Sequence, residues 1–527
     1  MLRATAIFLS MMLSVAVLEA KEVSPETSRY GGTLVWGVAY KPTIINPILT
    51  TQSVSASLQG LIFNELIRLN AKGEIEPDLA ESWEISEDGL VYTFHLRKGV
   101  KFHDGVECTA EDVKFTFDAV IDPKVNSPFR SFFSLVAEFT AADKYTFQVV
   151  LTKPSAPLLY RFIRPIAPKH ILGNADPKNS PFNYRPIGTG PFKFREWTKD
   201  DQIILEYNPD YYEGRPYLDK IIVKTYANSQ QLWAAIMRQE VDLVLFIERE
   251  DYDILKNDPL FRNYAYPIDH SFVISYNLKD PILSDLTVRK AIACGINRKE
   301  VIEKISFGHG VECNGPFYFG SIGYNPMVKP FGFNPGKAKQ LLAEAAWQDL
   351  NNDGILEKEG QDLEIRMLVD ERNEIYRKMA MLFRQQLQEI GIKLVIFLYN
   401  DDMELTKSFL ERNKIQAQLN LLPTRVDPDQ VFEEWTTQGP EKIYKLWEYD
   451  NFEVERYFSL GKATLDKNKK RWIYQEIHKF IYEDQPLYFL YFPFFFHSVS
   501  SRIDNTDDFF TLNMPYNSMR KWFIKHQ

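Results

Sequence analysis

The segment Leu422–Asp429 carries the charged side chains that could most readily bind a ligand. It reads LPTRVDPD, so Arg425 is followed closely by Asp427 and Asp429. An arginine guanidinium can hold a carboxylate or a phosphate through two parallel hydrogen bonds, which suits it to anchoring anionic groups. Alternatively, Arg425 only pairs with Asp427 or Asp429 in a solvated loop. The sequence alone leaves both interpretations open.

Metal chemistry has weak support. The eight histidines show none of the short His spacings that indicate a local metal site. Asp349, Asn351, Asp353 and Gly354 match the first half of a calcium loop, which places oxygen ligands at alternating positions. The twelfth position is Gly360 instead of a bidentate glutamate. We therefore expect a turn rich in Asx hydrogen bonds, with no metal and no cofactor.

Signatures of enzymes are also missing. The chain has no Gly-x-Ser-x-Gly nucleophile motif and no phosphate-binding Gly-x-x-x-x-Gly-Lys-Ser/Thr loop. The segment Gly188–Gly190 begins a Gly-x-Gly-x-x-Gly string, but Lys193 ends it. We expect that the protein is not an enzyme. Because a carboxylate pair assembled by the fold is invisible in a sequence, a secreted hydrolase of the glycosidase type stays as an alternative.

The three cysteines could form at most one internal disulfide. Cys294 and Cys313 are closer to each other in sequence than either is to Cys108. No Cys-x-x-Cys motif exists, which argues against zinc or redox chemistry. We expect three small, buried, apolar side chains.

The N-terminal residues predict export. The chain has 527 residues, which is long for a single hydrophobic core and indicates two or three domains. Residues 1–20 contain Arg3 followed by an uncharged apolar stretch, the layout of a cleaved secretory signal. No cysteine near the expected cleavage site could receive a lipid anchor. We therefore predict a free periplasmic protein.

Composition and charge narrow the class further. Hydrophobic residues make up 45% of the chain and charged residues 25%, as in folded globular proteins. The net charge of -9 disfavours nucleic acid as a partner, since proteins that bind it usually present a basic face. The apolar run Leu487–Phe496 is interrupted by Pro493 and is too short to span a bilayer.

Helix-to-strand transitions predict the fold class. Residues 229–240 have helical spacing of apolar side chains and run directly into an apolar, strand-like segment, 241–247. Residues 375–390 and 392–399 repeat the pattern. A helix that leads into a buried strand is typical of α/β proteins, so we assign the chain to that class.

Local signals predict further elements near the N-terminus. A strand should follow Gly31, and a helix should cover Val54–Leu66. Turn residues at 86–89 predict a hairpin. Thr109 and Asp112 stand at the separation of a capping box, so a helix should begin there.

These blocks resemble a known family, the extracellular solute-binding proteins of family 5, which includes dipeptide-, oligopeptide- and nickel-binding proteins. The resemblance covers nearly all of the chain after the signal, with its motifs in order. The motifs are FNEL (63–66), PDLAESW (77–83), LRKGVKFHDG (96–105), GTGPFK (188–193), NPDYY (208–212), VRKAI (288–292), INR (296–298), 338–347, 388–393 and DPD (427–429).

The resemblance implies a two-lobed periplasmic-binding-protein clamshell (type II, cluster C) with an extra inserted subdomain. Lobe I would comprise 29–65, 186–275 and 490–527, the inserted subdomain 66–185, and lobe II 276–489. Two crossings, near Tyr276 and Leu490, would act as hinges. A solute in the cleft would shift the population towards the closed form.

The resemblance also implies a function and a site. It implies the substrate-binding component of an ABC importer, a monomer that delivers a peptide-sized solute to permease subunits. Peptide binders of the family commonly place an aspartate where this chain has Thr424, which supplies no charge for a peptide amine. The ligand could instead be a carboxylated metal chelate, an opine or a sugar derivative. The expected contacts are Tyr40, Thr424, Arg425, Asp427, Asp429 and Trp435.

Overall fold

A computed structural model describes residues 29–155, 157–401, 414–436, 449–464 and 466–525. The predicted signal at 1–20 lies outside these residues. Strands and helices mix throughout the described parts, and the α/β class is confirmed.

The first part of the chain contributes an interior strand, β1, to a large sheet and then forms a smaller sheet. Thr109 caps the second helix through a capping box with Asp112, as predicted. Gly89 has φ +71 in the predicted hairpin turn, where glycine avoids the steric cost of a left-handed backbone. The elements are β1 Thr33–Val38, α1 Ser53–Ile62, β2 Ile67–Leu69, β3 Ile75–Pro77, β4 Ala80–Ile85, β5 Val91–Leu96, α2 Ala110–Ile121, β6 Val136–Asp143, β7 Thr146–Leu151, α3 Leu158–Arg161 and α4 Lys169–Leu172.

The chain then returns to the large sheet. The predicted helix-to-strand unit at 229–247 is present, with both elements shorter than expected. The elements are β8 Phe192–Trp197, β9 Gln202–Tyr207, β10 Lys220–Thr225, α5 Ser229–Met237, β11 Leu243–Leu245, α6 Arg249–Leu255, β12 Phe261–Pro267 and β13 His270–Tyr276.

The remaining elements build the second lobe and close the first. Asn373 caps the helix of the predicted 375–399 unit through its side chain. The elements are α7 Leu286–Gly295, α8 Arg298–Ser306, β14 Gly310–Glu312, α9 Pro335–Glu344, β15 Glu357–Lys358, β16 Gln361–Asp362, β17 Glu364–Asp370, α10 Glu374–Gln388, β18 Lys393–Tyr399, β19 Ala417–Pro423, α11 Phe432–Trp435, α12 Phe452–Ala463, α13 Lys467–Asp484, β20 Leu487–Ser500, β21 Ile503–Asp504 and β22 Phe523–Ile524.

One long sheet joins the two lobes. Its strand order is β18-β17-β19-β13-β20-β11-β1-β10-β9-β8, and β12 and β14 also pair with β20. The inserted subdomain has its own antiparallel sheet, in the order β4-β5-β7-β6. Its core is continuous with that of lobe I, whereas the core of lobe II is separate.

Strand pairing shows where the chain changes from one set of partners to the other. Strand β13 pairs with β19 from His270 to Tyr276, and Tyr276 packs in the core of lobe II. The first crossing therefore precedes His270, in the short connection between β12 and β13. Strand β20 changes partners from β13 to β12 around Pro493, a few residues after Leu490. Only β20 continues as one strand through a crossing.

The three cysteines are buried and unbonded, as expected. The predicted Asx-rich turn is also present, since Asp353 accepts a hydrogen bond from the backbone of Ile355 and Asn351 accepts one from the backbone of Asp353. The sequence interpretation missed Glu357, whose carboxylate lies within 4.8 Å of those of Asp349 and Asp353.

Buried His478 gives the fold a pH dependence. Its Nδ1 accepts a hydrogen bond from the backbone N–H of Asn325 (3.0 Å), and its Nε2 contacts the carbonyl of Asn314 (3.2 Å). This arrangement requires the neutral ring with the proton on Nε2. Burial lowers the pKa of His478 from 6.5 to about 4.

We expect acid to destabilise the wild type more than a His478→Gln variant. Below pH 6.5 this histidine binds a proton in the unfolded chain, whereas in the folded protein it stays neutral down to about pH 4. The free energy of unfolding therefore falls as the pH drops through that window. The expected extra loss between pH 7 and pH 5 is about 2 kcal/mol. Urea unfolding at both pH values measures it. Buried carboxyl groups with raised pKa values have the opposite pH dependence, but both proteins contain them, so their effect cancels in the comparison. If the free energy of unfolding changed equally with pH in the two proteins, the prediction would be wrong.

Candidate functional site

A cavity of about 780 Å³ lies against the crossing strands and has walls from both lobes. Tyr40, Glu248 and Arg249 line it from lobe I, while Phe307 and Lys378 line it from lobe II. Strand β20 contributes the floor through its segment 493–496. A solute of peptide size would contact both lobes and the strand that joins them.

A second cavity, of about 400 Å³, opens beside the first within lobe I. Its walls are largely apolar and include the aromatic residues Trp36, Trp233, Phe246 and Phe495. The indole N–H of Trp36 is buried and has no hydrogen-bond partner among the residues that the structure describes. This space suits an apolar or aromatic side chain of a ligand.

Tyr40 lies at the entrance shared by these two cavities, as the sequence predicts for a cleft residue. Its side chain is 73% exposed, which is unusual for a large aromatic residue. An exposed ring beside a cavity can cover a ligand at little conformational cost.

Thr424 lies on the lobe II side of the crossing. Its backbone N–H donates to the carbonyl of Asp269 (2.8 Å), and its own carbonyl accepts from Tyr318 (3.0 Å). The side chain is buried, and its hydroxyl has no hydrogen-bond partner in the described parts of the chain. The position is close to the hinge but carries no charge.

Arg425 pairs with Asp269, 3.3 Å away, instead of with either aspartate of its own loop. Its backbone has φ +32, so the loop turns through a conformation that L-residues seldom adopt. The Asp269 carboxylate also contacts His270 (3.0 Å). The guanidinium therefore binds the crossing between the lobes in this structure, while about a third of its side chain is exposed.

Asp427 and Asp429 point into lobe II. Asp427 caps the short helix Pro428–Val431 by accepting from the backbone N–H of Asp429 (3.1 Å). Asp429 receives the ammonium of Lys470 (2.5 Å) and the hydroxyl of Tyr474. Burial raises the pKa of Asp427, and the nearby Asp429 carboxylate raises it further. These contacts give the pair a structural role.

Trp435 is 4% exposed and packs against Phe489 and Tyr449 in the core of lobe II. The structure thus places Tyr40 at the cavities and Thr424 and Arg425 at the crossing. It places Trp435 and the Asp427–Asp429 pair in the interior of lobe II.

Comparison with known proteins defines the family. Residues 74–448 match the family described as "Bacterial extracellular solute-binding proteins, family 5 Middle". The chain belongs to family 5 of the bacterial extracellular solute-binding proteins. The resemblance seen in its sequence motifs is confirmed. No helix in the described residues has the length and apolar character needed to cross a membrane.

Several relatives of this chain are named as peptide-binding proteins. The chain is 30% identical over 487 residues to the oligopeptide-binding protein AppA of Bacillus subtilis, covering 88% of this chain and 86% of the relative. It is 28% identical over 487 residues to the dipeptide-binding protein of Escherichia coli, covering 86% and 88%. The structure of Bacillus subtilis AppA with a nonapeptide matches with a TM-score of 0.70 at 28% identity, covering 94% of this chain and 100% of that chain.

Direct contacts between the lobes of this family 5 protein were not predicted. The Arg249 guanidinium lies 3.5 Å from the ring centroid of Phe307, and His309 lies 3.7 Å from the carboxylate of Asp253. Both contacts join α6 of lobe I to the end of α8 in lobe II. Nothing in the local sequence indicates them, because they depend on how two distant segments meet.

A third cavity, of about 430 Å³, lies where lobe I meets the inserted subdomain, and it too was missed. It is lined by Gln59 and Glu65 from the end of α1 and by Phe129 and Arg164 from the insert. Tyr516 separates it from the aromatic cavity: its hydroxyl accepts from Ser57 (2.7 Å). FNEL pointed to the family, but its Glu65 was not recognised as a residue that faces a cavity.

Proposed function

We propose that this protein is the substrate-binding component of an ABC importer and that it binds a peptide or peptide-sized solute between its lobes. The observation that carries the proposal is the cavity of about 780 Å³, whose walls come from both sides of the crossing. A solute in that space stabilises the closed form by as much as its affinity for that form exceeds its affinity for the open one.

Peptides are the favoured ligand class. The relatives described above are named for oligopeptide and dipeptide binding. The adjoining cavities differ in character, since one has mainly apolar walls and the other is rich in charged groups. A peptide presents both apolar side chains and polar backbone groups, so it can satisfy such a combination.

The proposal includes the setting in which the protein acts. It is a periplasmic monomer after loss of residues 1–20, and it docks on permease subunits in the inner membrane. It uses no cofactor and catalyses no reaction. The net charge of -9 supports a role that does not involve nucleic acid.

A carboxylated metal chelate, an opine or a sugar derivative is the second candidate. It is favoured by three basic side chains that line the cavity of about 780 Å³, those of Arg249, Arg372 and Lys378. Each already contacts a neighbouring acid: Arg249 contacts Asp253 and Arg372 contacts Asp370, while Lys378 contacts a glutamate one helical turn away. An anionic ligand would have to compete with these pairs, which weakens this candidate.

Native mass spectrometry of protein purified without denaturation tests the proposal. We expect bound small molecules that, once released, form a ladder of peptide masses. The control is the same protein after unfolding, dialysis and refolding, which should carry no ladder until peptides are returned to it. A single anionic or metal-bearing mass would reject the peptide in favour of the second candidate.

A further inference from the structure

The cavity of about 430 Å³ is lined by two ionisable groups that make no side-chain hydrogen bond or ion pair in the described residues, although each influences the pKa of the other. Neither the Glu65 carboxyl nor the Arg164 guanidinium makes a hydrogen bond or ion pair with any residue that the structure describes. The Arg164 guanidinium instead lies over the ring of Phe129, 3.6 Å from its centroid. By contrast, Arg68 on the same wall contacts Glu76, Glu213 and Asp78. The lack of side-chain hydrogen bonds and ion pairs is therefore a feature of Glu65 and Arg164, and not of every charged side chain on this wall.

A third unsatisfied group faces the same space. Gln59 is only 6% exposed, and its side-chain amide nitrogen has no hydrogen-bond partner within the described part of the chain. A buried amide donor without a partner costs free energy that a ligand acceptor can recover. This second observation indicates that the cavity is incomplete without a ligand.

Backbone pairing fixes the positions of the charged groups. Leu66 N–H donates to the carbonyl of Arg164 (3.3 Å), and Ile166 N–H donates to the carbonyl of Asn64 (3.0 Å). Glu65 and Pro165 therefore lie opposite each other on two antiparallel segments. Groups held by main-chain hydrogen bonds are preorganised, so little entropy is lost when a ligand binds.

The charges require a dipolar ligand group. Burial, together with the nearby Asp78 carboxylate, raises the pKa of Glu65 to about 8. Burial lowers the pKa of Arg164 to about 10. A purely cationic group would meet repulsion from Arg164, and a purely anionic one would meet it from Asp78. A ligand group that combines a positive charge with a neutral oxygen acceptor avoids both repulsions.

We propose that this cavity binds the amino-terminal residue of a peptide, with its α-ammonium on Glu65 and its carbonyl oxygen on Gln59 and Arg164. The inference rests on the proposed function and adds the position of the amine anchor. That anchor is in lobe I, whereas Thr424 of lobe II supplies no charge. Phe129, Met514 and Tyr516 provide apolar walls for the first side chain.

Calorimetric titration with trialanine and N-acetyl-trialanine tests the anchor. We expect the wild-type protein to bind trialanine at least tenfold more tightly, since acetylation removes the positive charge. Glu65→Gln should lose at least tenfold in affinity for trialanine and nothing for the acetylated peptide. Arg164→Gln should weaken the binding of both peptides, because both present the first carbonyl. Glu81→Gln, which removes an exposed acid of the insert, is the matched control and should bind as the wild type does.

The outcomes separate the two proposals. If the wild type binds trialanine and Glu65→Gln binds it equally well, the amine anchor is overturned and the peptide function stands. If the wild type binds neither peptide nor any released peptide mixture, both proposals are overturned. Thermal melting checks that the variants are folded: Glu65→Gln should melt no lower than the wild type, because an amide of similar size replaces a carboxyl that makes no side-chain hydrogen bond with any residue that the structure describes. Glu65→Leu, the second variant, should show the same loss of discrimination.

Discussion

Replacing Gly188 by alanine should prevent or strongly impair folding. An ideal Cβ at this position would lie 2.1 Å from the carbonyl oxygen of Ile62 and 2.7 Å from the ring of Phe63. The nearest atom belongs to the backbone at the end of α1, which Gly190 N–H also contacts at 2.8 Å, so the clash cannot be relieved by a rotamer change. We expect a loss of about 3 kcal/mol in unfolding free energy. Urea denaturation followed by circular dichroism measures it.

Gly332→Ala is the matched control. A Cβ there meets nothing within 4 Å, and its backbone is outside the left-handed region. Such a change should alter stability by less than about 1 kcal/mol, with a gain from reduced freedom of the unfolded chain. Equal stability of the two variants would show that the approach of 188–190 to α1 is looser than the structure indicates.

Asp429→Ala should destabilise lobe II severely while leaving ligand affinity unchanged. The carboxylate is fully buried and binds the ammonium of Lys470, which is 13% exposed, and the hydroxyl of Tyr474. Removing one partner of a buried ion pair leaves the other charge without compensation, which costs about 3–5 kcal/mol. Urea unfolding measures the loss, and titration of the folded protein with peptide measures affinity.

The exposed pair Lys114–Asp118 provides the comparison. Its side chains are 35% and 45% exposed, so Asp118→Ala should cost about 0.5 kcal/mol or less. If Asp429→Ala lost much of its affinity for peptide but kept the unfolding free energy of the wild type, Asp429 would be a ligand-binding residue, as the sequence analysis expected. Asp429→Asn should lie between wild type and alanine, because it keeps an acceptor for Tyr474 but removes the charge.

The fold was predictable wherever a signal is local. The capping box at Thr109, the hairpin turn around Gly89 and the unit containing α10 and β18 all depend on residues within a few positions of one another. The residue at which β20 changes partners is not marked by a local signal of this kind, because the strand continues from one lobe into the other. Which strand pairs with which is decided by tertiary packing.

The site was less predictable than the fold. Tyr40 was assigned to the cleft because the family that the chain resembles opens its ligand cleft after the first strand, and this residue lines two cavities. Asp429 was assigned to the cleft wall by the same resemblance, yet its partners in the structure, Lys470 and Tyr474, lie some 40 residues later, on α13. Glu65 and Arg164 come together only through pairing of segments a hundred residues apart. Such contacts cannot be predicted from residues that are close to each other in the sequence.

The continuous strand β20 also sets the order in which the molecule can be completed. The core of lobe I needs Val499, Phe509 and Trp522, which the ribosome adds last, to cover strands that it made first. The strands and helices of lobe II lie in one unbroken stretch, which needs only the start of β20. Since a domain folds as a unit, lobe I cannot complete its core until the C-terminal residues have been synthesised. That delay is compatible with the proposed export of this chain, which requires a polypeptide that has not yet folded.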